Sequence, residues 1–499
     1  DWRKQRRRTE ALWPMTPEGL TREDVVAGLQ CERRLHLQWQ TRTTANPKTS
    51  SQSRVREAAF LRFPNGQALE GDFNQRQLAT EAALETPGPW ALFGACAQHA
   101  GVQIQPDILY KTSANELGVF TIRKSASIKR TTYYDLAVEV WVLRGCGQAP
   151  SSARVLHINS EYCREDHGLD PNQLFHSVEA LPFLEGRVSE VDSQIGPLKE
   201  PTLRSVAPEV SVGPHCKSPS RCPFLNDCSP NAGAFHVSRL PHGNRLAQRL
   251  PDSAIEDIRA IPMPTRMSPL QKRALSCIQK GEDWVGPGLE STLQNVQFPL
   301  GYLDFESVAP AVPLHAQTHP YQSLPTQWSL HIQRQDGQLT HQEFIHDHNS
   351  DPRKAFADSL LEAVSEVGSL VVYSPAESRV LKALAEQFPE HTEALEAVRA
   401  RLYDLLAVIQ RHYYHPDFNG TFTLKRVLPS LVDDLSYDDL EIRNGAMAAQ
   451  RYPELILSKP QTDFHRSLRH SLLRYCERDT LALVRIRQAL LERCKHSPH

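Results

Sequence analysis

An α/β protein of two domains is the architecture this sequence predicts, on three observations. Strand-like apolar runs lead into helical periodicity twice, once over 102–143 and again from residue 298 onward. At 499 residues the chain is too long for one ordinary core. Its composition, 40% hydrophobic and 23% charged, is that of a globular protein. No apolar run reaches the roughly 18 residues that a membrane span needs.

The elements follow in order. The first residues, Asp1-Trp2 and a basic run from Arg3 to Arg8, lack an apolar segment behind them, so no secretory leader is expected. Residues 1–14 read as an extension ahead of Met15, which is either the natural start or the end of a disordered tail. Thr21 is placed to cap a helix carrying Val25, Leu29 and Leu35. Strands are expected at Val102–Ile104, Ile108–Tyr110 and Val119–Ile122. A helix should follow over Tyr134–Leu143, and further helix to about Leu198. These make a first domain over 15–235. Residues 236–295, rich in Pro, Arg and Ser, read as a connector with one helix over 270–279. A second domain over 296–495 should carry strands at 300–306, 326–333 and 369–373. Its helices are expected at 352–366, 375–387, 392–412 and 466–494.

A net charge of −2 leaves nucleic-acid binding to local patches. Ten cysteines in a chain without a leader predict reduced thiols and a cytoplasmic setting, with a few of them as metal ligands.

The strongest chemical signal is Tyr302-Leu-Asp304-Phe-Glu306. On a strand the acids at i and i+2 share a face. Two carboxylates about 4 Å apart repel by about 4 kcal/mol at an effective dielectric of about 20, so they call for a cation. Far downstream, Tyr475 and Asp479 sit at i and i+4 and share a helix face, an arrangement suited to orienting water beside a metal ion. Between them, Val371-Val-Tyr-Ser-Pro375-Ala-Glu377 delivers Glu377 to the end of a buried strand.

This order of an acid pair, a mid-domain acid and a Tyr-x-x-x-Asp resembles the DnaQ-like (DEDD) exonucleases of the tyrosine subclass. It is closer still to an uncharacterised bacterial family with such a domain at its C-terminus. The residues carrying that likeness span about 298–490: Tyr302-Leu-Asp-Phe-Glu, Leu324-Pro-Thr-Gln-Trp-Ser-Leu-His, Asp351-Pro-Arg, Tyr414-His-Pro-Asp-Phe-Asn-Gly and Tyr475-Cys-Glu-Arg-Asp-Thr. The resemblance implies a ribonuclease H-like fold and a two-metal nuclease using Mg²⁺ or Mn²⁺. Asp304, Glu306, Glu377 and Asp479 would be the ligands, and Tyr475 would position the attacking water. Glu377 stands where those enzymes usually carry aspartate, and Ser374 and Ala376 replace an amide and an aromatic near it. Asp404 is a candidate substitute ligand, expected on a helix, where such an acid more often has a structural role.

Around this site Arg411, His412, Tyr413, Tyr414, His415, Lys425 and Arg426 interleave cations with aromatics. That pattern suits either a nucleic-acid track or a solvated basic face. Arg466, Arg469 and Arg474 are open to the same two readings.

In the first domain, Cys216, Cys222 and Cys228 recur at a fixed spacing, with Cys31 far upstream. Four thiolates suit an iron–sulfur cluster or zinc. This layout resembles the RecB-like nucleases of the CRISPR-adaptation and AddB type, with a [4Fe–4S] cluster clasping a restriction-endonuclease-like domain. Asp107 followed by Ile122-Arg-Lys124 is similar to their PD-(D/E)xK core, with Ile122 where an acid belongs, so the core reads as a degenerate one kept for structure or for gripping DNA, the alternative being Glu139 as a migrated acid. The resemblances together imply a 3′–5′ exonuclease acting through the C-terminal domain. The N-terminal domain would bind nucleic acid, DNA favoured over RNA. The rival expectations are a second nuclease site at Asp107, Lys124 and Glu139, or a binding scaffold with both sites degraded.

Overall fold

The computed structural model of the chain describes residues 19–41, 50–228, 235–247, 257–261 and 266–496. The expected extension over 1–14 lies outside them. The protein is mixed α/β and forms two compact units, residues 1–230 with 310–322, and residues 231–309 with 323–499. Among the described residues no helix is long and apolar enough to cross a membrane.

In the first unit Thr21 caps α1 (Arg22–Gln30) as expected, and Asp24 returns the bond to the Thr21 N–H. The helix breaks at Cys31, whose backbone is extended, so Leu35 falls on a second helix, α2 (Glu32–Gln40). Helices α3 (Ser50–Phe60) and α4 (Phe73–Leu84) flank the first strand of the main sheet, β1 (Gln67–Ala68). Then come β2 (Trp90–Phe93), β3 (Ile108–Lys111), β4 (Leu117–Arg123), α5 (Arg130–Gly145), β5 (Ser152–Ile158), β6 (Phe175–Glu179) and α6 (Glu185–Leu203).

The six strands form one sheet in sequence order, parallel where α4 crosses from β1 to β2 and where α5 crosses from β4 to β5. Both faces are buried: Leu109, Val119 and Val155 pack with α1, α5 and α6, while Ile108, Phe120, Ile122 and Leu156 pack with Val55 and Ala59 of α3. Val102–Ile104, expected as a strand, lies in a separate small sheet with Leu20–Thr21 and Ala97–His99.

The second unit begins earlier than the expected connector allows. Its helix α7 (Pro269–Lys280) buries Ala274, Cys277 and Ile278 at i, i+3 and i+4, and Val237, Leu240 and Leu246 join the same cluster, so 236–295 contributes to the core of this unit. Strands β7 (Leu300–Val308), β8 (Leu324–Gln333) and β9 (Leu339–Ile345) precede α8 (Arg353–Ala363), β10 (Leu370–Val372) and α9 (Ala376–Gln387). The single helix expected over 392–412 is three pieces: α10 (Thr392–Ala400), β11 (Leu402–Asp404) and α11 (Leu405–His412). Leu402–Asp404 leaves the helix because it completes the sheet beside β10. Three helices close the chain: α12 (Leu424–Leu431), α13 (Gly445–Leu457) and α14 (Asp463–His496).

The five-stranded sheet runs β9-β8-β7-β10-β11, with β10 parallel to β7 and β8 antiparallel to it. Its two faces divide cleanly. Leu303, Trp328, Leu330 and Val372 pack with α8 and α9, while Tyr302 and Val371 share a core with α14. On β8 the odd-numbered polar residues face α14. The Gln327 amide donates to the Leu472 carbonyl at 3.0 Å, and Ser329 and His331 both lie 2.8 Å from Thr480 Oγ1.

Candidate functional site

Asp304 pairs across the sheet with Ser329, and Glu306 with Gln327, so both acids project from the central strand toward α14. There they meet Asp479. Asp304, Glu306 and Asp479 each offer an oxygen within 4.8 Å of the others'. Asp479 is buried and the other two are partly so. Burial pushes the Asp304 carboxyl well above the usual carboxylate range, and the charges of Asp479, Glu306 and Glu377 push it further. Burial and Asp479 raise Glu306 to about 8, against the opposing charge of Lys425. Burial raises Asp479 to about 6, against a hydrogen bond from Tyr437 and the charge of Lys425. Such a centre favours a bound cation or shared protons.

Glu377 is the second residue of α9, which is separated from β10 by three residues. The Ser374 hydroxyl donates to it at 3.2 Å, and burial raises it to about 7. It stands outside the close triad, within electrostatic reach of Asp304 and Glu306. Asp404 ends β11 and caps α11, its Oδ1 accepting the Ala407 N–H at 3.1 Å. Its expected mid-helix setting is therefore corrected: Asp404 and the strand leading to Glu377 finish side by side, and its charge raises Glu377.

Tyr475 lies one turn before Asp479 on α14. Its hydroxyl accepts from Lys425 Nζ at 3.3 Å, and that ammonium stands 4.7 Å over the rings of both Tyr475 and Tyr437. The Cys476 thiol lies 3.5 Å from Asp304 Oδ2. Gly445, first residue of α13, lines the same place: a Cβ there would stand 3.6 Å from Glu306 Oε2 and 3.8 Å from the Tyr475 hydroxyl. Sequence reasoning missed Tyr437 and Gly445, and no spacing or periodicity marks either one.

The basic and aromatic residues expected to face nucleic acid divide three ways. Arg411 and Arg426 are exposed. Lys425 turns inward to the acids. Tyr414, expected as a binding residue, is fully buried with Tyr413 in a short strand paired with Trp284–Val285, so neither ring stacks on a base. The Tyr413 hydroxyl donates to Asp283 at 2.7 Å, and Tyr414 packs on Phe418 and Phe422. Arg466, Arg469 and Arg474 are paired with Asp463, Asp347 and Glu477.

In the first unit Asp107 and Glu139 do come together, in a register one residue from the expected one. Thr121 Oγ1 lies 3.4 Å from Glu139, and the Arg123 guanidinium bonds Asp135 and approaches Asp107 at 3.9 Å. Ile122 points to the opposite face of the sheet, and only its N–H reaches Asp107, at 2.7 Å. A strand alternates faces at every residue, so the pair facing the acids is Thr121 and Arg123. Lys124, expected in the site, is exposed. Each acid has an arginine: Arg56 on Asp107, Arg22 on Glu139, Arg123 on Asp135. Burial pushes Asp107 up, but Arg56, Arg22, Arg123 and the Ile122 N–H more than offset it, leaving it below its ordinary range. Glu139 is raised to about 7 by burial, against the charge of Arg22.

Cys216 and Cys222 are joined through the Cys222 N–H and the Cys216 carbonyl at 2.8 Å. Gln30, next to Cys31, donates to the His215 and Ser220 carbonyls at 2.6 and 2.7 Å, which ties the end of α1 to this loop. The Arg34 guanidinium feels both Cys31 and Cys222. Among the described residues no three of these sulfurs lie within 4.8 Å of one another. Cys96, Cys277, Cys476 and Cys494 are buried elsewhere.

No curated protein matches this chain. Residues 301–423, which include Asp304, Glu306 and Glu377, match a family described as a domain of unknown function (DUF2779).

Proposed function

We propose that the protein is a metal-dependent nuclease whose second unit hydrolyses phosphodiester bonds, as a 3′–5′ exonuclease. The observation that carries this reading is the gathering of Asp304, Glu306 and Asp479 within 4.8 Å at the heart of the unit. Acids on a central strand, facing a helix that bears Tyr475 and Asp479, also suit the ribonuclease H-like fold.

The donor set fits the implied metal, because it offers only hard oxygen ligands of the kind Mg²⁺ and Mn²⁺ prefer. Asp304, Glu306 and Asp479 would hold one ion, and Glu377, with Asp404 behind it, would complete a second position. Bound there, such ions polarise a phosphoryl oxygen and make water nucleophilic at neutral pH. The chain's own part is positional. The Tyr475 phenol would orient the attacking water, and Lys425 would place a positive charge beside it. The raised carboxyls would have to release their protons for a cation to be held there.

In the first unit, Cys31, Cys216, Cys222 and Cys228 offer four thiolates of the kind that hold a [4Fe–4S] cluster, with zinc as the alternative. The three arginine-neutralised acids favour a first unit that binds nucleic acid without cleaving it.

End-labelled DNA and RNA oligonucleotides with Mn²⁺ test the reading. Wild-type protein should shorten one of them from its 3′ end, and Asp304→Ala should not. Equal activity in both proteins would remove the second unit as the nuclease.

A further inference from the structure

The carboxylate centre carries a cation of its own. Lys425, near the start of α12, is half-buried, and its ammonium sits against the two phenols that border the acids, Tyr437 bonded to Asp479 and Tyr475 facing Gly445 beside Glu306. Its ammonium is fixed from several sides. It donates to the Arg443 carbonyl and to the Tyr475 hydroxyl at 3.3 Å, and it stands 4.7 Å over each ring of Tyr437 and Tyr475. Two of its three N–H donors are thereby used and one remains for an anionic oxygen. A surface lysine tracking phosphates would be mobile and fully hydrated, and this one is neither free nor turned outward.

We propose that Lys425 is the resident counter-cation of the carboxylate centre, competing with an incoming divalent ion and holding the Tyr475 phenol in place. The inference rests on the metal-binding reading of the site and adds a residue to it. Without a divalent ion, three closely spaced carboxyls repel one another, and one fixed positive charge offsets part of that repulsion. With the ion bound, the same charge opposes it, so Lys425 lowers the affinity of the site for metal. The remaining N–H and the ordered phenol then serve the substrate. Lys425 is thus a positioning residue that trades metal affinity for turnover.

The signature separates this role from a structural one, because losing the lysine should move metal binding and hydrolysis in opposite directions. Calorimetric titration of metal-free protein with Mn²⁺ should show Lys425→Met binding more tightly than wild type, by about three- to tenfold. The metal-free variant should melt at a lower temperature than wild type, and Mn²⁺ should erase most of that difference. Hydrolysis at saturating Mn²⁺ should fall at least tenfold in kcat, and Lys425→Arg should restore most of it. If the methionine variant does not fold, Lys425→Gln takes its place, since it keeps a donor but no charge. Unchanged or weaker Mn²⁺ binding in a folded variant would overturn the counter-cation role. Tighter binding in a protein that cleaves no nucleic acid would support it while removing the nuclease reading. Absence of Mn²⁺ binding by wild type would overturn both.

Discussion

The Tyr437 hydroxyl donates a hydrogen bond to Asp479 Oδ1, joining the loop after α12 to the carboxylate that α14 contributes. This bond and the Lys425 charge hold Asp479 at about 6 when burial alone would send it higher. Tyr437→Phe should therefore make Asp479 more basic. A proton then competes with metal at pH 6 and no longer does so at pH 9. Mn²⁺ titrations at the two pH values should show weaker binding by the variant at the lower one and convergence at the higher.

Asp304→Ala removes one carboxyl from a mutually repelling set without opening an apolar cavity. The variant should lose metal-dependent hydrolysis and still fold, with a metal-free melting temperature at or above that of wild type. Mn²⁺ should stabilise wild type and leave the variant unmoved. Tyr475→Phe should retain metal binding and slow hydrolysis by about 10²-fold, the usual worth of a positioned proton-handling group.

Stability of the metal-free protein should depend on pH through Glu306, whose carboxyl rises from 4.5 to about 8 on folding. Between those values the folded chain binds a proton that the unfolded chain has released, so stability falls as pH rises. The contribution is favourable below about 4.5 and lost by about 8. Denaturant midpoints measured from pH 5 to pH 8.5 should decline for wild type, decline less for Glu306→Gln, and flatten with Mn²⁺ present.

Anaerobically purified protein should be brown, with iron and sulfide in near-equal amounts. Changing Cys31, Cys216, Cys222 or Cys228 to alanine should bleach it and loosen the first unit, because Cys31 lies far from the other three in sequence. Zinc without iron by metal analysis would replace the cluster, and neither metal would leave these thiols to packing.

Asp107→Ala strands Arg56 and weakens the hold on Arg123, so it should destabilise the first unit by about 3–5 kcal/mol, as breaking a buried ion pair does. Nuclease activity should stay unchanged while the protein remains folded. In an Asp304→Ala background, residual Mn²⁺-dependent cutting that disappears on adding Asp107→Ala would make the first unit a second nuclease.

What the sequence reveals here follows from periodicity. Asp304 with Glu306, and Tyr475 with Asp479, are legible because strand and helix repeats fix which residues share a face. The first unit misleads for the same reason. Phe120 and Ile122 lie on one face of β4, and Leu117 and Val119 on the other, so both faces are apolar and alternation carries no register. The pattern then fits Ile122 and Lys124 by letter alone, one residue away from Thr121 and Arg123. Strand β9 escapes notice because its residues are largely polar and exposed at the sheet edge. Lys425 and Tyr437 reach the site from a short helix and a loop, and only the folded chain brings them to Asp479.

The polar ties between β8 and α14 bracket the site along the helix. Gln327 fastens the Leu472 carbonyl, and Ser329 and His331 fasten Thr480, with Tyr475 and Asp479 between them. One residue inserted anywhere in that window would rotate everything beyond it by about 100° and break a tie on one side or the other. The helix therefore behaves as an indexed shaft, keyed on both sides of its working residues. Changes in chain length are tolerable only outside 472–480, and substitutions remain the one route by which the window itself can vary.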